Sequence, residues 1–454
     1  MSDSPRGRSR RKVRSSRRSK SSAAYWRRYR RVMPRYFWDE EHRLASIIVA
    51  CAKGSELFDV DGKSYIDLTS QWGTNNLGNV PPEVLAATVD ALGQYGFLIY
   101  FMNPHVPMIE LAEKLLEVRP SPDLRRVLLE LSGTGAAEAA VKYAVESTRR
   151  PLILSFMGQY HGLSIGTGVI GTLSAQECRY WEAFQGGAVH APYPFSLRRP
   201  RGMSEAEYGG WVLDYIEERI LKHIAAPERI AGVIFEPIAL EAGTWIPPSG
   251  FAEKLEKLCH AHGWVFIDDE VESGLGRTGR MWAIEHSRAR PDLMAIGKGL
   301  SGGLMPIAAV MGSDSLLGEH EVAAGTTFGG HPAACVAASV TLDIMRRDRL
   351  PQRSARLGAR ALKRIQEWER FDAVGDTRGW GLSLAVELVK DSRSMEPDPQ
   401  LARRVFFDCV KHGTIPLWNY GDSFLRIQPP LTIPETLLDK SLDTMEAALR
   451  RQAR

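Results

Sequence analysis

The chain has 454 residues, 44% of them hydrophobic and 41 of them glycine, which excludes one small domain and suggests two or three domains with ample core. No apolar run reaches the roughly 18 residues a membrane-spanning helix needs. The formal net charge of +4 is unevenly divided: residues 1–31 hold 13 Lys/Arg against one acid, Asp3, leaving 45 basic and 53 acidic residues in the remainder.

Residues 1–34 are rich in Ser and Arg and almost without apolar side chains before Tyr25 and Trp26. So little buriable surface cannot offset chain entropy, and this tail is expected to be disordered. It is read as a solvated extension, or as sequence upstream of a start at Met33, in preference to nucleic-acid contact, anionic-membrane contact or an organelle transit peptide. The cysteines, Cys51, Cys178, Cys259, Cys335 and Cys409, are scattered without a C-x-x-C. They are expected to be reduced thiols in a cytoplasmic protein with no metal centre.

Residues 35–92 read as an N-terminal lobe. Apolar and polar residues alternate around Asp61-Gly62, a hairpin turn signal, and helical periodicity follows at 83–92 and 109–118. Between 93 and 342 apolar strand runs alternate with helical stretches. Strands are expected at 152–156, 232–236, 265–268 and 308–311, and helices at 211–221 and 251–262. That order implies an α/β domain with a mostly parallel sheet, covered on both faces, and a site at the strands' C-terminal ends. Residues 343–454 read as a C-terminal α+β domain.

The most informative stretch is 265–303, VFIDDEVESGLGRTGRMWAIEHSRARPDLMAIGKGLSGG. A strand ends in Asp268-Asp269-Glu270, and a second apolar patch leads into Lys298 between Gly297 and Gly299. A strand-end acid and a glycine-flanked lysine make the polar skeleton of a pyridoxal phosphate site. The lysine forms a Schiff base with the aldehyde, and the carboxylate keeps the ring nitrogen protonated.

Both segments resemble the class III (omega-type, ornithine- and 4-aminobutyrate-like) aminotransferases, and the resemblance spans 57–433. It implies the aspartate-aminotransferase-like type I fold: a large, mostly parallel, seven-stranded-type sheet domain and a small α+β domain drawn from both chain ends. It also implies a homodimer with shared active sites. An amine or amino-acid donor and a 2-oxo acid acceptor would exchange an amino group through Lys298 and pyridoxamine phosphate.

By the same resemblance Gly133 and Thr134, in Ser132-Gly-Thr-Gly-Ala-Ala-Glu138 before a helical run, hold the cofactor phosphate. Thr327 does so across the dimer. Tyr160 and Val271 sandwich the ring, and His161 and Glu236 belong to the cofactor site. Arg426, in Phe-Leu-Arg-Ile-Gln-Pro-Pro-Leu, binds the substrate carboxylate, which its planar fork suits. Glu241 pairs with Arg426 when the donor lacks that carboxylate, and Trp72 lines the substrate mouth.

Two departures stand out. Gly135 replaces the family's usual Glu, which removes a buried acid. Glu272 replaces a usual Gln that donates to the ring's phenolic oxygen; an ionised carboxylate can only accept. Glu272 is therefore protonated, turned away, or bridged by a basic group. The same fold also hosts decarboxylases, racemases and aminomutases. A binding protein using the basic tail and a nucleotide-dependent enzyme are further readings, the latter without a GxxxxGK[ST] loop to support it.

Overall fold

The computed structural model describes residues 21–35, 47–184, 186–419 and 421–453. Near the N-terminus are β1 (Val49–Lys53), β2 (Glu56–Asp59) and β3 (Ser64–Asp67). The middle of the chain supplies β4 (Arg126–Glu130), β5 (Leu152–Phe156), β6 (Ala188–Ala191), β7 (Ile230–Phe235), β8 (Val265–Asp269), β9 (Leu293–Ile296) and β10 (Ala308–Gly312). The C-terminal part adds β11 (Val374–Trp380), β12 (Ser383–Leu388), β13 (Thr414–Ile415) and β14 (Phe424–Ile427).

Seven strands form the central sheet in the order β4-β10-β9-β8-β7-β5-β6. The pairings from β9 to β6 are parallel, and β10 runs antiparallel to both its neighbours. Every residue of β5, β7, β8, β9 and β10 is buried, as expected of strands covered on both faces. The pleat sorts their side chains. Ile153, Ile234, Ile267, Ala295 and Val310 pack with Ala136, Ala140 and Ala144 of helix Gly133–Thr148. Leu154, Val233, Phe266, Met294 and Met311 join a second cluster that includes Leu255 and Cys259 of helix Phe251–His262.

The expected Asp61-Gly62 hairpin joins β2 to β3, with Leu57 opposite Tyr65. β13 pairs in parallel with β3, Thr414 opposite Ile66, so one four-stranded sheet draws on both ends of the chain. β11, β12 and β14 make a third sheet. The mixed α/β type I fold implied by the resemblance is the fold observed.

Local differences have local causes. The helix expected at 211–221 begins at Glu205, because Ser204 and Glu207 form a capping box, and it passes into a π-helical turn at Ile216–Ile220. β4 and β6 were not among the expected strands. Most of the tail expected to be disordered lies outside the described residues, but Ser22–Val32 is a helix. Ser21 caps it, Trp26 and Tyr29 meet edge to face at 5.4 Å, and none of its residues is buried.

One side chain clasps the sheets around the site. Arg277, fully buried in the loop after β8, donates to Leu382 O at 2.9 Å, Pro429 O at 2.5 Å, Ser70 Oγ at 3.0 Å and Asn76 Oδ1 at 2.6 Å. Replacing it strands four buried acceptors, each costing about 1–3 kcal/mol when unsatisfied. Arg277→Met is expected to lower the unfolding free energy by at least about 3 kcal/mol in a urea titration; a loss below about 1 kcal/mol contradicts the clasp.

Candidate active site

The site lies where β8 and β9 end. Asp269, the last residue of β8, is buried; its Oδ2 meets His161 Nδ1 at 2.7 Å and its Oδ1 accepts from Val271 N at 3.0 Å. His161 comes from the loop after β5, so its ring fixes the carboxylate from a second strand end. The next acid back, Glu236, just past β7, accepts from Tyr160 N at 2.8 Å and ties the Tyr160–His161 segment to the sheet. Burial, reinforced by the nearby Asp269 carboxylate, pushes the Glu236 carboxyl well above its usual range.

Lys298 follows β9 and sits at φ 41°, a left-handed conformation that costs a non-glycine residue roughly 1–3 kcal/mol. Strain of this kind persists where the surroundings over-determine a side chain's position. The ammonium is ion-paired with Glu272 Oε2. Glu272 Oε1 accepts from Arg426 Nη1 and Gln428 Nε2, both at 3.1 Å. Arg426 Nη2 donates to Glu241 Oε2 at 2.9 Å, and Asn419 Nδ2 reaches the same oxygen at 3.1 Å. Two cations and two anions therefore alternate in one chain, buried at Glu272, Arg426 and Glu241 and partly exposed at Lys298. Of the three states open to Glu272, the bridged one is found, and two bases rather than one do the bridging. Burial alone raises a carboxyl, but Lys298 and Arg426 outweigh it and hold Glu272 down at about 2.

The helix N-terminus expected to take a phosphate, that of Gly133–Thr148, is capped by Ser132 Oγ on Gly135 N at 3.1 Å. A Cβ on Gly133 would fall 2.4 Å from Val271 Cγ1, so only glycine lets the loop after β8 close on this helix end. Thr134 Oγ1 lies under Gly162, 2.5 Å from where a Cβ would be, beside His161. The acid absent at Gly135 is replaced in space: Glu130 Oε2 lies 3.0 Å from the Cβ position, and Glu130 Oε1 accepts from Gly325 N at 2.7 Å. Glu130 thus anchors the loop that carries Thr327. Thr327 itself is exposed and is not brought into the cluster.

After β3, Ser70, Gln71 and Trp72 have φ of 39°, 53° and 58°, and the following Gly73 lies against Gln428 Nε2 and Glu272 Cγ. Trp72 is half-buried at this edge. Arg378, on β11, donates to Gly243 O from Nε at 2.9 Å and Nη2 at 2.6 Å, steadying the turn that presents Glu241. Three groups escaped sequence reading: Gln428, Asn419 and the clasp Arg277. Gln428 had a signal, since it lies two residues beyond Arg426 along an extended chain and shares its face. The other two depend on segments far apart in sequence.

The residues fit pyridoxal phosphate. A buried acid is fixed by a histidine at one strand end, a strained lysine stands at the next, and a glycine-opened helix N-terminus lies beside both. Together with the sheet topology they define a type I pyridoxal phosphate enzyme. The chain matches the aminotransferase class-III profile over residues 37–449. It is 36% identical over 411 residues to isoleucine 2-epimerase of Lentilactobacillus buchneri, covering 89% of this chain and 90% of that one. It is 33% identical over 410 residues to a probable 4-aminobutyrate aminotransferase of Bacillus subtilis, covering 88% and 92%. An amine transaminase from an uncultivated Pseudomonas species, solved with pyridoxal phosphate bound, superposes with a TM-score of 0.85 at 27% identity, covering 92% and 99%. The chain belongs to the class-III aminotransferase family and is a pyridoxal phosphate-dependent aminotransferase.

Gly133→Ala is expected to weaken cofactor retention at least tenfold, about 1.4 kcal/mol, read as visible absorbance lost on dialysis; full retention contradicts the close approach of Val271. The acid limb of stability carries a second prediction. Because Glu272 is held below its unfolded value, its contribution is present above about pH 4.5 and lost as pH falls toward 2. The urea midpoint difference between the parent and Glu272→Gln should therefore shrink from pH 6 to pH 3. A difference that stays constant contradicts an ionised Glu272.

Proposed function

We propose that the chain moves an amino group from an amine, omega-amino acid or amino acid donor to a 2-oxo acid, with Lys298 as the covalent anchor and proton carrier. The observation behind this reading is the alternating chain Lys298–Glu272–Arg426–Glu241, which joins the lysine to a guanidinium suited to a substrate carboxylate. Pyridoxal phosphate, when bound, supplies an electron sink for the bond broken at the substrate Cα.

The chain's own residues do the rest. Lys298 Nζ holds the aldehyde carbon between turnovers and, once released, takes the proton from Cα as general base. Asp269, oriented by His161, keeps a proton on the ring nitrogen. Gly133 and Thr134 hold the phosphate at the helix N-terminus, where backbone N–H groups and the helix dipole favour an anion. Tyr160 and Val271 fix the plane of the ring, and Glu236 holds the Tyr160 backbone. Arg426 takes the carboxylate of the oxo acid and Glu241 covers it for donors that lack one, with Trp72 at the mouth.

Exposed Thr327 is read as reaching a neighbouring subunit's phosphate, which makes the working unit a homodimer with shared sites. Five free cysteines without a paired pattern support a cytoplasmic setting.

A second reading, racemisation of an apolar amino acid at the same Cα, is favoured by the 36% identity to isoleucine 2-epimerase. An amine and amino-acid panel run with and without 2-oxoglutarate or pyruvate, in heavy water, separates the two. Transamination consumes the oxo acid in proportion to donor. Racemisation exchanges the α-hydrogen without it. Lys298→Ala should abolish both activities and the visible absorbance of the holoenzyme; retained turnover removes Lys298 from its role.

A further inference from the structure

Arg426 has less to offer a substrate than an isolated guanidinium. It is almost fully buried, and each terminal nitrogen faces a carboxylate, Nη1 toward Glu272 Oε1 at 3.1 Å and Nη2 toward Glu241 Oε2 at 2.9 Å. Only Nε lacks a partner among the described residues. Each terminal nitrogen already gives an N–H to an acid, so a carboxylate that takes the end of the fork competes with Glu241 and Glu272.

The two acids are not equally placed to leave. Glu241 accepts from Arg426 and Asn419 through one oxygen, Oε2, and Arg378 steadies its turn at the backbone of Gly243, not at the carboxylate. Glu272 is tied to Arg426 and Gln428, two partners that remain when Lys298 is taken up by the cofactor, and lies three residues beyond Asp269, in the loop that Gly133 and Arg277 lock down. When Glu241 turns aside, Glu272 stays. The arriving carboxylate then meets a guanidinium that is already neutralised.

We propose that Glu272 is a specificity-determining residue: a resident second carboxylate on Arg426 that weakens binding of α-carboxylate substrates and biases the site toward donors whose reacting carbon carries no carboxylate. The proposal rests on the reading of Arg426 as the carboxylate anchor. Repulsion between Glu272 and the substrate anion acts in a dry site, where opposing charges are screened little. A glutamine keeps the size and can still donate to a neighbouring oxygen, but it lifts that repulsion.

The test uses the holoenzyme and glutarate, a dicarboxylate with no oxo group to react. Binding is followed by calorimetry and by perturbation of the cofactor's visible band. Glu272→Gln should bind glutarate at least tenfold more tightly. In turnover it should lower the KM for 2-oxoglutarate similarly while changing the KM for a primary amine less than threefold. Unchanged or weaker glutarate binding by a folded, cofactor-loaded variant overturns the proposal. Combined with Arg426→Gln, Glu272→Gln should bind glutarate no more tightly than the parent; a gain that survives without the guanidinium overturns the proposal. Failure of the parent enzyme to transaminate any donor would instead sink the functional reading and leave these binding results standing.

Discussion

The site depends on a condition of electroneutrality. Lys298, Glu272, Arg426 and Glu241 are each too costly to bury alone, since a lone charge in a dry interior is penalised by several kcal/mol. In alternating order, with only Lys298 partly exposed, each is flanked by its opposite. Four segments must converge to build this chain: the turn after β7, the loop after β8, the turn after β9, and β14. Arg277, Gly133 and Arg378 are the means of convergence. Arg277 draws the N- and C-terminal segments onto the β8 loop, Gly133 lets that loop close on helix Gly133–Thr148, and Arg378 steadies the Glu241 turn.

The sheet explains why the chemistry sits where it does. Parallel β5, β7, β8 and β9 end on the same edge, so His161, Glu236, Asp269 and Lys298, each at or just past a strand end, meet although they are distant in sequence. The packing of both faces leaves this edge as the place where polar side chains can cluster. The strained backbones at Lys298 and at Ser70–Trp72 fall on the same edge, where a rigid scaffold can hold them.

Much of this was legible in the sequence, for identifiable reasons. Asp269 and Lys298 could be read because each follows a short apolar run, the acid before a glycine-rich loop and the lysine between Gly297 and Gly299, a local pattern. The cap of helix Gly133–Thr148 was legible for the same reason. Arg277 stood in plain view within Gly-Leu-Gly-Arg-Thr-Gly, yet its role depends on Ser70, Asn76 and Pro429, which no local pattern connects to it. The Glu130-for-Gly135 replacement is likewise a relation in space, between a strand end and a helix start. The bridging of Glu272 could be posed as an alternative but not chosen, because the choice needed Arg426 and Lys298 in one frame.

The central claim is that Lys298, past the end of the strand next to that of Asp269, is the single point of covalent attachment of the cofactor. Borohydride reduction of the holoenzyme, followed by proteolysis and mass spectrometry, tests it most directly. One pyridoxyl group per chain should be found, on the peptide carrying Lys298 and on no other. A label on a different lysine, or a protein that takes up no pyridoxal phosphate at all, would contradict the account.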